Sequence, residues 1–151
     1  MKRTTLLLPL LVLLTLCSCS DNARYSALDG RWLVTSVQDK SSGAAITADG
    51  TRYIAFDMEL AALLYDYPGR PVGHSMDEYT ALCSTDGHTL QLGAFRTFWQ
   101  RGIFKNDAEP APADVLALFG LTVDPVTCTW QREGRKLTLE SASTVIHLTK
   151  H

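Results

Sequence analysis

The sequence lacks every local signature of enzyme chemistry that can be recognised in one segment. There is no Gly-x-Ser-x-Gly elbow, Walker loop, zincin helix or Cys-x-x-Cys redox pair. Ser36, Ser75, Ser84 and Ser143 have no nucleophile context around them, although a triad assembled from distant positions stays open. No basic stripe interrupts the chain, and its 14 basic against 16 acidic residues give no reason to expect nucleic acid. Internal repeats, low-complexity segments and a second long apolar run are also missing. Cysteine is scarce, at four residues, and two of these fall within the first nineteen. The residue types that bind metals gather in only two places, His74-Ser75-Met76-Asp77-Glu78 and Asp86 with His88. Polar residues are ordinary in loops, so no metal site and no cofactor is expected there, with an acid–base or metal cluster as the sharper alternative.

What the chain does have begins at its N-terminus. Lys2 and Arg3 precede an almost purely apolar run from Leu6 to Leu16. A run of this length falls short of the ~20 residues that a membrane-crossing helix needs, and it suits the apolar core of a secretory signal. The following Leu16-Cys17-Ser18-Cys19 resembles the lipobox of bacterial lipoproteins, with Leu16 three residues before Cys19 and Ser18 directly before it. Cys17 fits less well, because Leu16 would fill the small-residue place, and a soluble secreted product remains the alternative. The resemblance implies cleavage after residue 18 and a lipid on Cys19. It also implies acylation of the freed amine, which makes anchoring stable where one chain is marginal. The expected division is a signal at 1–18, a lipidated cysteine and tether at 19–27, and one domain at 28–151. The expected location is the outer membrane, with its side left open by the single acid, Asp21, after Cys19.

Removing the 18-residue leader from 151 leaves 133 residues, one domain by length. The loss of Lys2 and Arg3 leaves 12 basic against 16 acidic side chains, a net of −4. Only Cys83 and Cys128 then remain as thiols. In an oxidising compartment they either pair, closing a long loop, or stay as two buried free thiols.

Strand patterns dominate the domain. Gly30 to Val37 has β-rich composition after an Asp-Gly turn signal. Apolar residues alternate from Ile54 to Leu64, which reads as one strand although Glu59 to Leu64 has helix-forming composition. Pro68 to Gly73 is a loop. Tyr79–Ser84 and Thr89–Phe95 flank an Asp86-Gly87 hairpin signal. Phe98–Phe104 adds an irregular strand, and residues 107–112 form a link. Asp114 to Gly120 is the one helix, with Val115, Leu118 and Phe119 turned inward and Gly120 as its C-terminal stop. Val126, Cys128 and Trp130 share a face, Glu133-Gly134 turns the chain, and Leu137 with Leu139 and Ile146 with Leu148 complete the sheet. The expected fold is mainly β: a small antiparallel barrel of about eight strands with one short α-helix before the last strands.

The opening Leu28-Asp29-Gly30-Arg31-Trp32 is similar to the Gly-x-Trp start of lipocalins. The helix followed by Trp130 to Leu139, a hairpin ending in Leu-x-Leu, is similar to META-type envelope domains. Together they resemble the lipocalin-like lipoproteins of Bacteroidetes over most of residues 28–149. The second lipocalin motif and the META-type Gly-Cys-Asn signature are absent. The resemblance implies a barrel and a ligand-binding role.

Two functions follow. In the first, a non-catalytic envelope lipoprotein holds a small apolar ligand in its barrel, with Trp32, Phe98, Trp99 and Trp130 as candidate contacts. In the second, bulky inward residues (Phe56, Met58, Leu60, Leu64, Leu90, Leu92 and Trp130) fill the barrel. The protein then meets an envelope partner through a surface patch, with Phe98-Trp99 or the Pro68–Gly73 loop presenting it. Trp32 is expected to plug one barrel end with Arg132 or Arg135 across its ring.

Overall fold

The computed structural model describes residues 27–69, 76–97, 108–122 and 125–151. The signal, Cys19, His74, Phe98 and Trp99 lie outside these residues. Nine strands run in chain order: β1 Gly30–Asp39, β2 Thr51–Asp57, β3 Leu60–Asp66, β4 Asp77–Asp86, β5 Thr89–Leu92, β6 Arg96–Thr97, β7 Val126–Glu133, β8 Lys136–Glu140 and β9 Thr144–Lys150. Among the described residues one helix, α1 Ala113–Leu118, precedes β7.

Each strand pairs antiparallel with its chain neighbours, β3 pairs β4, and β9 returns to β1, so the sheet closes. β5 and β6 lie along the same side of β4 and count as one bent strand. The result is a closed barrel of eight antiparallel strands, as the patterns predict.

Three two-residue hairpins turn the chain at one end of the barrel: Met58-Glu59, Gly87-His88 and Gly134-Arg135. The first turn residue has φ of +52°, +58° and +59° respectively. Hairpin turns need this positive φ to match the strand twist, and glycine takes it freely. Met58 takes it under strain while its side chain is 66% exposed. Met58→Gly is therefore expected to raise stability by about 0.5 kcal/mol. That is the left-handed penalty of ~1–2 kcal/mol for an L side chain, offset by glycine's own flexibility. Urea unfolding would measure it, and a loss of stability would show that Met58 makes contacts worth more than the strain.

The first turn corrects the reading of residues 54–64 as one strand. A two-residue turn pairs Asp57 with Leu60 and so shifts the alternation. Ile54 and Phe56 stay inward, and Ala61 and Leu63 replace Leu60 and Leu64 on the inner face. Met58 leaves the interior altogether. Leu60 is only half-buried and pairs with Leu82, which is itself 64% exposed.

The helix closes the opposite end. Leu116 and Phe119 are its buried residues, while Val115 and Leu118, read as inward, are half-buried. Both still pack against the core, as the spacing predicts, and Phe119 is buried just past the last helical residue. Gly120 ends the helix at φ +73°, and Thr144 Oγ1 donates to its carbonyl at 2.6 Å. Arg52, buried on the inner face of β2, donates to the Leu118 carbonyl and, at 3.4 Å, to that of Ile46. Its burial lowers the guanidinium pKa, and those carbonyls supply the partners that a buried cation needs.

Candidate functional site

The hairpin end of the barrel holds Trp32 and Trp130, the two candidate contacts among the described residues. Trp32 enters from β1 and is fully buried. Its Nε1–H donates to the Leu28 carbonyl at 2.6 Å, satisfying the one polar atom of the indole. The guanidinium of Arg132 lies 5.3 Å from the ring centroid, and the ammonium of Lys150 lies 4.5 Å from it. Both cations meet the negative face of the aromatic system. The plug expected from Trp32 is therefore present, with Arg132 across the ring rather than Arg135. Arg135 sits on the β7–β8 turn and donates to the Lys150 carbonyl at 2.8 Å.

Lys150 was not anticipated. The alternation Ile146, Leu148, Lys150 already turned it inward, a signal hidden by its charge. Its Nζ donates to the Asp29 carbonyl. Burial lowers its pKa and the nearby Arg132 adds to the shift, against the opposing carboxylate of Asp29. Arg132 Nη1 donates to the Ala27 carbonyl at 2.6 Å, so the first described residue of the chain is fastened to this end.

Trp130 reaches the same end from β7, half-buried, with the His88 ring 5.4 Å away. Its Nε1, Thr85 Oγ1 on β4 and Asp29 Oδ1 are buried atoms without a hydrogen-bond partner. A group left so usually meets a water, an ion or a ligand. After burial itself, the charge of Asp29 adds to the rise in the Cys83 thiol pKa.

Above this layer the barrel is filled by its own side chains. Ile54, Leu63, Leu90, Leu92, Leu137, Leu139, Ile146, Leu148 and Phe119 each retain 2% or less of their accessible surface. Residues lining a void large enough for water would retain more. Bulky inner side chains therefore occupy the volume in which a larger barrel holds its ligand.

Cys83 and Cys128 are free, buried thiols, and the disulfide alternative is corrected. β5 lies between their strands: Cys83 pairs Leu92, Leu92 pairs Val126, and Cys128 is two residues further on. Two strand spacings put their Cα atoms about 10 Å apart or more, beyond the ~7 Å that a disulfide spans. Burial pushes Cys83 up to about 11 and Cys128 up to about 12, with Asp29 and then Glu59 adding to the shift at Cys83. Neither thiol is expected to react with a thiol reagent at pH 8 until the protein unfolds. Because both folded values lie above the free-thiol value of 9, this stabilisation is complete below pH 9 and is lost as pH rises towards 11–12. Thiol titration with and without urea checks the first expectation, and unfolding curves across that window check the second.

Of the candidate metal-binding residues, Asp77 and Glu78 start β4 while Asp86 and His88 lie at its other end. Among the described residues no three His, Cys, Asp or Glu side chains gather as a metal site. A shallow polar hollow of 330 Å³ on the outer wall is lined by Thr35, Gln131, Glu133, Lys136, Thr138 and His147, among others.

A family model described as a lipocalin-like domain matches residues 13–151. The fold is similar to that of a lipocalin-like protein from Bacteroides uniformis ATCC 8492, with a TM-score of 0.55 and 14% identity over 83% of this chain and 99% of that one. It is similar also to an uncharacterized protein from Bacteroides eggerthii DSM 20697, with a TM-score of 0.58 and 14% identity over 82% of this chain and 99% of that one. A search of curated proteins returned no match.

Proposed function

The chain belongs to the family of lipocalin-like domains, and from that premise we propose that it is a non-catalytic, lipid-anchored envelope protein whose barrel is a filled mount for recognition at its surface. One observation carries this reading over a deep ligand cavity: the inner side chains of Ile54, Leu63, Leu90, Leu92, Leu137, Leu139, Ile146 and Leu148 are almost wholly enclosed. The lipobox-like Leu16-Cys17-Ser18-Cys19 supports the lipid anchor, and the outer membrane is the location proposed with it. The filled interior gives rigidity, and recognition falls to the ends and the outer wall.

A second reading keeps a ligand of modest size at the hairpin end. The three unpartnered atoms of Asp29, Thr85 and Trp130 favour it, because they offer two acceptors and two donors at the barrel mouth. Such a ligand would be polar at that edge rather than a long apolar molecule threaded into the core.

Native mass spectrometry of the protein purified from its own host separates the two. A bare mass that gains nothing from added fatty acids or sterols supports the filled mount. A stoichiometric companion lost on denaturation would overturn it and identify the ligand class. The same spectrum reads the lipid on Cys19 directly.

A further inference from the structure

Four cations from three strand ends come together around the point where the chain joins the barrel. Arg132 and Lys150 flank Trp32, and Arg135 and exposed Lys136 lie on the β7–β8 turn beside them. The link between Arg132 Nη1 and the Ala27 carbonyl marks that point. No run of basic residues announces this patch, because the fold assembles it from positions 132–136 and 150.

The acids of the same end keep apart. Asp57, Glu59 and Asp86 lie at the β2–β3 and β4–β5 hairpins across the barrel, and among the described residues only Asp29 and Glu133 lie with the cations. The helix end has the opposite balance. Asp39, Asp49, Asp66, Glu109, Asp114 and Glu140 lie there, besides Asp77 and Glu78, against Lys40, Arg52 and Arg96 among the described residues. Of those three cations, Lys40 pairs with Glu140 at 2.8 Å and Arg52 is buried.

We propose that the Arg132–Arg135–Lys136–Lys150 side of the hairpin end docks onto an anionic phospholipid surface and sets the orientation of the barrel on its membrane. The proposal rests on the reading of Cys19 as the lipid anchor. Residues 19 to 27 span at most about 29 Å when fully extended, and they join the barrel at this end, so of the two ends this one starts nearest the headgroups. A basic cluster next to an anchor is the arrangement by which a lipid chain and surface charge act together on anionic membranes. Lys136 also lines the polar hollow of the outer wall, so the docked face offers threonine hydroxyls beside its positive charge. The acidic helix end then points away from the membrane.

The test uses the protein as purified, with its intact mass read first to establish whether Cys19 is lipidated. It is then placed on vesicles of phosphatidylcholine alone or with phosphatidylglycerol, and amide hydrogen exchange is followed across the hairpins and the helix end. The expected result is at least threefold slower exchange in residues 131–137 on the anionic vesicles, no change in the 40–50 loop, and loss of the effect in 0.5 M salt. Arg135→Glu with Lys136→Glu changes two exposed turn residues outside the core and is expected to abolish the slowing. Equal exchange on both vesicles, or slowing that survives salt and the double substitution, overturns the proposal. A protein without lipid on Cys19 refutes the anchor instead. Slowing by added anionic vesicles would then still show the docking face, and its absence would refute both.

Discussion

Trp32→Ala is expected to lower the unfolding free energy by about 4 kcal/mol, within the range for deleting a large buried aromatic side chain. The indole is fully enclosed, and its removal leaves a void where side chains of β1, β7 and β9 meet. Two further losses accompany the void. The Leu28 carbonyl loses its donor, and Arg132 and Lys150 lose the ring they lie over, the ammonium of Lys150 in a partly desolvated place. Trp32→Phe separates these contributions, since it keeps most of the packing and removes the Nε1–H; about 1–2 kcal/mol is expected. Urea unfolding followed by far-ultraviolet circular dichroism measures both. An alanine effect below about 2 kcal/mol would mean that the hairpin end is held by its turns rather than by this stack.

Gly120→Ala is expected to destabilise by about 3 kcal/mol, from two sources that a control can separate. Gly120 has φ +73°, and an added Cβ would lie 2.6 Å from Val37 Cγ1 and 3.3 Å from Thr144. Neither neighbour can move easily, because both are among the most buried side chains and Thr144 Oγ1 holds the Gly120 carbonyl. Gly43 has a similar φ of +69° with nothing near its missing Cβ. Gly43→Ala should therefore lose only the backbone part, about 1 kcal/mol. Equal effects at the two positions would refute the steric half of the argument and with it the close seating of the helix on the barrel.

Much of the barrel was legible in the sequence because burial imposes a period of two on strands with one wet face. Leu137 with Leu139 and Ile146 with Leu148 show that period without interruption, and their strands follow it. Gly87 and Gly134 announced their turns, since hairpins need positive φ there. The turn at Met58 had no such marker. An unbroken apolar alternation ran straight through it, and its two-residue length kept the period while reversing the face. The helix showed its inward residues Val115, Leu118 and Phe119 by spacing, and only buried Leu116 escaped that pattern.

The site was readable only as far as single residues carry a signal. Trp32 with Arg132 could be anticipated from the Gly-x-Trp opening and the basic hairpin. The unpartnered atoms of Asp29, Thr85 and Trp130 depend on which neighbours the fold supplies, and composition does not encode that. The free thiols were undecidable for the same reason: whether Cys83 meets Cys128 depends on the strand that runs between them.

Closure of the sheet has one more consequence, for how this molecule behaves in a crowd. Open sheets present rows of unsatisfied amide and carbonyl groups, the template on which foreign strands add and fibrils begin. Here β1 is paired on both sides by β2 and β9, and β3 on both sides by β2 and β4. Short β6, next to the bend, exchanges hydrogen bonds with the 109–111 segment. Held on a membrane by the proposed anchor, the protein would meet its own copies constantly. With its backbone already spoken for, crowding there favours reversible side-chain contacts over the growth of β-aggregates.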